Sequence, residues 1–177
     1  MATQQTIQFE DGGSNPTSPH QFLIKNIPEI SAKCFNEMTH SKLPRISLKG
    51  YNDYRICYGF LYENRLYATG IWTRPIARKL NGLNWLELRR YAISEDAPKN
   101  TASWGLSRMA KMIKKEYPEI IKLISYQDTD VHDGTIYKAS NWKAIKTGNK
   151  ISTGWDSRDR NKMQSTAIKI RWEYDLK

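Results

Sequence analysis

The sequence predicts an α/β domain, and three features of the chain carry this prediction. Residues 84–94 alternate apolar and polar side chains as a long strand does, and a turn that contains Pro98 follows them. Residues 100–117 then place apolar side chains at helical spacing. A short apolar run at 120–126 predicts a second, buried strand, and residues 134–140 fit a short helix. Strands that alternate with helices in this way are typical of α/β architecture.

The remaining elements are a first strand, a helix, a hairpin and C-terminal strands. The helix prediction rests on Ile30, Cys34 and Met38, which recur at helical spacing after Pro28, a residue suited to a helix first turn. The hairpin prediction rests on two aromatic and β-branched runs. The first strand is predicted over residues 22–24, the helix over 27–38 and the hairpin over 54–62 and 66–73. The C-terminal strands are predicted over 142–147, 151–155 and 165–174.

The length of the chain, 177 residues, suits one domain with a sizeable core. Residues 1–20 are polar and contain two glycines and two prolines, so we expect a flexible N-terminal arm followed by a single domain over residues 21–177. Two cysteines are too few for a zinc site or a disulfide framework, and we expect both to be free and buried. No apolar run reaches the length of a membrane span, and the N-terminus lacks the apolar stretch of a secretory signal. The chain is therefore expected to be cytoplasmic, with no membrane partner.

The charge of the chain favours a polyanionic partner. The formal net charge of +10 suits DNA, RNA or the phosphates of CoA, and solubility alone is the alternative explanation. If phosphates are contacted, binding falls steeply with salt. Two basic clusters are predicted to contact nucleic acid, and a solvated basic surface is the alternative interpretation of both. The first cluster is Arg74, Arg78 and Lys79, and the second includes Lys143 and Lys146.

The turn between the long strand and the long helix is a candidate anion-binding site. The first N–H groups of a helix have no partner within the helix and point outward, so a pyrophosphate such as that of CoA can dock there. Asn100 is placed to cap this helix, and an ordinary capped helix start is the alternative reading of the turn. The absence of a Gly-rich phosphate loop argues against an NTPase. The residues predicted to bind the cofactor are Lys99, Asn100, Thr101, Ala102 and Ser103.

Polar side chains also gather after the second strand. The end of a strand that opens into a helix is a common place for functional groups in α/β proteins. Asp128 and His132 could bind a metal ion or form an acid/base pair, and each could equally be a hydrogen-bonding residue of a loop. Tyr137 on the short helix would ordinarily be a packing residue.

The order of elements and the motif around Tyr137 resemble the GNAT acyltransferases. These proteins have a long strand, a pyrophosphate-binding turn, a helix, a splayed strand and a helix with the pattern Tyr-x-x-x-Gly-Phe, which this chain matches with Asn141 for Gly and Trp142 for Phe. Residues 96–103 stand where that family has Arg/Gln-x-x-Gly-x-Gly/Ala. The resemblance implies a central mixed, mostly antiparallel, twisted sheet with flanking helices. It also implies acetyl-CoA or a related acyl donor, with Tyr137 protonating the departing CoA thiolate.

A closer resemblance, over residues 39–148, is to the Mom family of phage proteins. These GNAT-related enzymes modify adenine in DNA at its exocyclic amine, giving a methylcarbamoyl (acetamido-type) adduct that blocks restriction. The resemblance rests on short motifs that occur in the family's order: Glu87-Leu88-Arg89-Arg90, Asp96-Ala97-Pro98-Lys99-Asn100-Thr101-x-Ser103, Ile124-Ser125-Tyr126-x-Asp128 and His132-x-Gly134-x-Ile136-Tyr137-x-Ala139-x-Asn141-Trp142.

The resemblance to the Mom family implies four catalytic residues. The aspartate that follows Ser-Tyr falls on Asp128, the serine of the turn falls on Ser103, and the histidine of a His-Tyr pair falls on His40, where a serine replaces the tyrosine. Tyr137 is the fourth. The family site has been connected with iron, so the resemblance also implies a metal held by His40 and Asp128.

Partners and alternatives follow from the same resemblance. It implies double-stranded DNA as the substrate, with the adenine reached by base flipping, action on single-stranded DNA being the alternative. It also implies a phage- or prophage-encoded protein that acts in the cytoplasm of a bacterial host. The sequence leaves the oligomeric state open, a homodimer being one option. Two other functions remain open: an N-acetyltransferase that uses acetyl-CoA on a small amine or a protein, and a non-catalytic nucleic-acid-binding module.

Overall fold

The computed structural model describes residues 14–40, 46–48, 54–77, 79–80, 82–130, 132–146 and 169–177. The strand predicted over 151–155 and the Arg78 side chain lie outside these residues. None of the helices in the described ranges combines the length and the apolar composition needed to cross a bilayer. The elements in chain order are β1 Leu23–Asn26, α1 Glu29–Thr39, β2 Arg55–Tyr62, β3 Arg65–Thr73, β4 Trp85–Ile93, α2 Thr101–Glu116, β5 Lys122–Asp128, α3 Thr135–Ala139, β6 Lys143–Lys146 and β7 Lys169–Asp175.

The strands form one sheet with the order β1-β2-β3-β4-β5-β7-β6. Every neighbouring pair is antiparallel except β4 and β5, which run parallel because α2 crosses over between them. The predicted α/β fold with a mixed, mostly antiparallel sheet and flanking helices is therefore confirmed.

Two cores fill the two faces of the sheet. On one face α2 buries Leu106, Met109, Ala110 and Ile113 against β2, β3 and β4, and Tyr137 of α3 belongs to the same cluster. We call this the α2–α3 face. On the other face, the α1 face, Ala32 and Phe35 of α1 pack with residues of β2, β3 and β4.

Helix α1 forms where it was predicted but turns the opposite side inward. Its buried residues are Ala32, Phe35 and Asn36, whereas Ile30 and Met38 are 66% and 71% exposed. Cys34 is exposed as well, so the prediction that both cysteines are buried is wrong for Cys34 and correct for Cys57. Burial raises the pKa of Cys57 to about 11, which keeps this thiol protonated and unreactive at neutral pH.

The packed part of the chain begins before residue 21. Ser18 caps a short 3-10 helix at Pro19–Gln21. Tyr67 Oη donates a hydrogen bond of 3.1 Å to Asn15 Oδ1, and the His20 ring meets the Trp104 ring edge-on at 5.7 Å. Residues 14–20, which the sequence assigned to the arm, thus lie against the domain, and residues 1–13 lie outside the described ranges.

Candidate active site at the split between two strands

Strands β4 and β5 separate halfway along their length. They pair from Trp85 and Lys122 to Leu88 and Ser125. Beyond that point, residues 90–93 of β4 are paired with β3 alone and residues 126–128 of β5 with β7 alone, among the strands that the structure describes. The sheet therefore opens into a V whose vertex lies at Leu88 and Ser125.

Side chains along the V point to different faces of the sheet. Successive side chains of a strand alternate between faces. Ser125 and Gln127 point to the α2–α3 face, where Ser125 contacts Tyr137. Tyr126 and Asp128 therefore point to the α1 face. Arg90 does the same, because its cross-strand neighbour Ile71 belongs to the α1-face core.

The predicted anion-binding turn leads into α2 at the open end of the V. Asn100 occupies the position before the helix, but its φ of 68° is left-handed and its side chain makes no capping hydrogen bond. The two hydroxyls bond locally: Thr101 Oγ1 donates to the Pro98 carbonyl at 2.7 Å and Ser103 Oγ to the Asn100 carbonyl at 3.3 Å. The Asn100 side chain does not cap this helix. The Thr101 amide donates to the Pro98 carbonyl at 3.3 Å, and the next amides of the first turn, those of Ala102 and Ser103, have no partner within a helix and follow the exposed Lys99 in the chain.

Tyr91 fixes this helix start to β4. Its Oη donates to the carbonyl oxygens of Thr101 and Ala102, each at 3.1 Å, and burial raises the pKa of the phenol. Gly105 makes this approach feasible, since a Cβ at that position would collide with Tyr91 Oη and with the Phe60 ring. The position of the helix amides relative to the V is therefore set by packing rather than by a cap.

Tyr137 lies at the vertex of the V on the α2–α3 face. Its Oη is 2.8 Å from Ser125 Oγ, and both residues are buried. Burial raises the pKa of Tyr137, and the hydrogen bond with Ser125 lowers it by a smaller amount. The phenol is therefore protonated at neutral pH and able to donate a proton at this point of the sheet.

Trp172 of β7 holds the Tyr137 ring. The two rings stack with centroids 5.1 Å apart and an angle of 14° between their planes, and Trp142 meets Tyr137 edge-on at 5.7 Å. Trp172 Nε1 also donates a hydrogen bond of 2.7 Å to Gln127 Oε1. The amide of Gln127 donates in turn to the His132 carbonyl, so one network connects β5, β7 and the loop before α3.

Gly134 gives the loop before α3 its left-handed turn. Its φ is +71°, and a Cβ placed there would lie 2.6 Å from both Gln127 Oε1 and the Trp172 ring. We expect Gly134→Ala to lower the free energy of unfolding by roughly 1–3 kcal/mol, from left-handed strain and overpacking together. Chemical denaturation measures this change, and Gly82→Ala is the matched control because a Cβ at Gly82 meets no atom within 4 Å. An equal, small effect at both positions would contradict this account of the loop.

His40 lies on the α1 side of the V. It ends α1, with its backbone N–H donating to the Asn36 carbonyl at 2.9 Å. Partial burial lowers the pKa of His40, and electrostatic interactions with Arg90 and with the His132 side chain lower it further. These three side chains are therefore close enough to interact, and His40 is neutral at pH 7 and able to accept a proton.

Asp128 ends β5 on the same face as His40 and Arg90. Its Oδ1 accepts a hydrogen bond of 3.1 Å from the Asp130 amide. Across the described residues, no group of three or more His, Cys, Asp or Glu side chains is placed to hold a metal ion. The iron that the family resemblance implied at His40 and Asp128 thus gains no support from the described donor set.

Three of the basic residues predicted to contact nucleic acid, Arg74, Lys79 and Lys143, lie apart from the V. Arg74 follows β3 at the opposite end of the sheet, where its guanidinium covers the Tyr54 ring at 4.6 Å and donates to the Leu83 carbonyl. Lys79 is exposed beyond the same end. On the edge strand β6, Lys143 Nζ lies 3.7 Å from Asp175, and the backbone of Lys146 pairs with Ile170 toward the open end of the V.

Four site residues had no role in the sequence analysis. Strand pairing, which connects positions far apart in the chain, places these residues along the V: Ser125, Gln127, Trp172 and Arg90. Ser125 and Arg90 stand inside the quoted motifs, so the motifs gave a signal for these two. Nothing in the local sequence around Trp172 or Gln127 distinguishes them from ordinary strand residues.

The comparisons with known proteins agree with this geometry. The Mom protein family model matches residues 55–175, well over half of the chain. No curated protein sequence matches this chain.

Solved structures share the fold at low sequence identity. The IAA acetyltransferase from Bacillus cereus has a TM-score of 0.59 at 14% identity, over 87% of this chain and 99% of that one. The ribosomal-protein-S18-alanine N-acetyltransferase from Escherichia coli has a TM-score of 0.59 at 8% identity, over 88% and 94%. An acetyltransferase from Bacillus subtilis in complex with CoA has a TM-score of 0.53 at 13% identity, over 87% and 98%. The chain is therefore a member of the Mom protein family, built on the fold of the GNAT acetyltransferases.

Proposed function

We propose that this protein is a transferase that moves an acyl group from a thioester donor to the exocyclic amine of adenine in double-stranded DNA, where an acetyl donor leaves an acetamido-type adduct on the base. The observation that carries the proposal is the split sheet. Tyr137, a proton donor, lies at its vertex on one face, and neutral His40 interacts with Arg90, which stands just beyond the vertex and points to the other face. Donor and acceptor can then meet between β4 and β5 without sharing one pocket.

The donor side suits an acyl-CoA. The amides at the start of α2 and Lys99 suit a pyrophosphate. Beyond Leu88, the edge of β4 that faces β5 has no strand partner in the described ranges, so the amides of a pantetheine arm can pair with it as an added strand does. The thioester at the end of that arm then reaches the vertex, where Tyr137 lies.

The acceptor side suits a weakly nucleophilic amine. The exocyclic nitrogen of adenine attacks the thioester carbonyl carbon and gives up a proton, for which neutral His40 is the acceptor. As the carbon–sulfur bond breaks, its electron pair stays on sulfur, and Tyr137 protonates the thiolate. Arg90 favours the negative charge that develops on the carbonyl oxygen.

DNA is supported as the partner by family membership and by the formal net charge of +10. A base within a duplex is inaccessible, so the adenine must be flipped out to enter the V. We also propose that the protein is encoded by a phage or prophage and protects its DNA from restriction, on the ground of its family membership.

Nucleoside mass spectrometry tests the proposal. Plasmid DNA from cells that express the protein is digested to nucleosides, and we expect a modified deoxyadenosine that is absent when the Tyr137→Phe variant is expressed. Resistance of that plasmid to restriction enzymes with adenine in their sites should appear together with the modification. Unmodified DNA with an active, folded protein would overturn DNA as the substrate.

A second candidate, acetylation of a small amine, is favoured by one observation. A cavity of about 280 Å³ beside the open end of the V is lined by Met38, Ile93, Glu95 and Asp96, together with Thr39 and Ser94. Asp96 is paired with Arg65 at 2.6 Å, so the Glu95 carboxylate and the two apolar side chains are what suits a small cationic amine. Release of CoA from acetyl-CoA that depends on an added polyamine, with no change in DNA, would favour this candidate over the first.

A further inference from the structure

Ser125 occupies the vertex of the V, because it is the last residue of β5 that pairs with β4. The neighbouring positions that face the same way, Leu86 and Leu123, are fully buried apolar residues of the α2–α3 core. Ser125 itself is only 3% exposed. Burial of a hydroxyl costs folding free energy unless the hydroxyl is hydrogen-bonded. Its partner is Tyr137 Oη at 2.8 Å.

The geometry leaves the two hydroxyls little freedom. Trp172 stacks on one side of the Tyr137 ring and Trp142 meets it edge-on, so the ring cannot turn away from β5. Either oxygen can be the donor. Only when Ser125 donates does the Tyr137 proton remain unengaged and able to point into the V.

Building on the proposed function, we infer that Ser125 is a positioning residue that donates a hydrogen bond to Tyr137 Oη, turns the Tyr137 proton toward the donor sulfur, and then stabilises the phenolate. The proton count balances. The thiolate takes the Tyr137 proton as the carbon–sulfur bond breaks, and the proton lost by the amine leaves through His40 to solvent. After the thiol departs, the phenolate regains a proton from solvent, so the net reaction is thioester plus amine to amide plus thiol.

Removal of the Ser125 hydroxyl tests the inference. With acetyl-CoA as donor and duplex DNA as acceptor, we expect Ser125→Ala to lower kcat for CoA release by roughly 10- to 100-fold, the effect of losing a hydrogen bond to a charged oxygen. The KM for acetyl-CoA should change by less than about twofold, since the bond matters only as charge develops. The alkaline limb of the pH–rate profile should move to higher pH, because that hydrogen bond lowers the pKa of Tyr137.

Two comparisons separate positioning from general damage to the fold. In a Tyr137→Phe background, Ser125→Ala should cause no further loss, because Ser125 acts only through that phenol. The matched control is Thr69→Val on β3: Thr69 is fully buried, and its hydroxyl has no hydrogen-bond partner within the described part of the chain. This isosteric change should leave turnover unaltered. Full turnover of Ser125→Ala, or an equal loss in both Tyr137 backgrounds, would overturn the inference.

A titration that needs no substrate keeps this inference distinct from the proposed function. In protein labelled with ¹³C at the tyrosine Cζ, the Tyr137 signal is identified by its loss in Tyr137→Phe. It should titrate at higher pH in Ser125→Ala than in the unsubstituted protein, and an unchanged titration overturns the positioning role. Absence of CoA release by the unsubstituted protein would instead overturn the proposed function, while the titration still decides the role of Ser125.

Discussion

Replacement of Tyr137 by phenylalanine is expected to lower kcat by roughly 10²–10⁴-fold while leaving the fold intact, the range that loss of a positioned general acid produces. Phenylalanine keeps the ring that stacks on Trp172 at 5.1 Å and removes only the hydroxyl that lies 2.8 Å from Ser125. Burial raises the pKa of Tyr137, so the unsubstituted protein should lose activity through this group only as the pH rises above about 10. The variant should lack that alkaline limb.

A tyrosine at the other end of the sheet provides the control for this prediction. Tyr54 lies before β2, where its hydroxyl binds Glu119 and its ring lies under Arg74. Tyr54→Phe removes a hydroxyl of the same kind far from the V and should leave kcat within about twofold. Comparable losses in both variants would mean that tyrosine hydroxyls matter to this protein only for stability.

Replacement of Trp172 by alanine is expected to be the most damaging single change to both fold and site. Trp172 is 4% exposed, stacks on Tyr137, and donates to Gln127 Oε1 at 2.7 Å. Loss of this much buried surface costs about 3–5 kcal/mol of unfolding free energy. Tyr137 then lacks its stacking partner and Gln127 its donor, so kcat should also fall in protein that remains folded. Urea denaturation gives the first quantity and single-turnover kinetics the second.

Trp172→Phe divides this effect into packing and hydrogen bonding. Phenylalanine retains an aromatic surface for Tyr137 but cannot donate to Gln127. We expect it to recover much of the stability and to leave the loop at Gly134 less ordered, seen as faster amide hydrogen exchange there. If Trp172→Phe proves as damaging as Trp172→Ala, the indole N–H rather than the stacking is what holds the site.

The strands and helices that the sequence predicted well are those whose pattern and burial agree. Strand β4 and helix α2 each bury the apolar stripe that their periodicity shows, and they span Trp85–Ile93 and Thr101–Glu116 in the structure. Helix α1 shows the limit of this reasoning. Its sequence offers an apolar stripe at Ile30, Cys34 and Met38 and a second at Ala32 and Phe35, and only contact with β2 to β4 selects the second.

The candidate site was harder to predict, because strand pairing builds it. Tyr137 was singled out within its motif, but its contacts with Ser125 and Trp172 exist only because β5 lies between β4 and β7. Asn100 looked like a helix cap, yet its left-handed backbone prevents its side chain from capping. Arg74 looked like a phosphate contact, whereas the fold stacks it on Tyr54. These outcomes depend on backbone conformation and on distant neighbours, which composition and spacing do not encode.

The most direct test of the split as the catalytic centre is a crystal structure of the protein with CoA. We predict that the CoA sulfur lies between β4 and β5 within hydrogen-bonding distance of Tyr137 Oη, with the pyrophosphate on the first amides of α2. CoA bound away from this vertex, or a sulfur that cannot reach Tyr137, would contradict it.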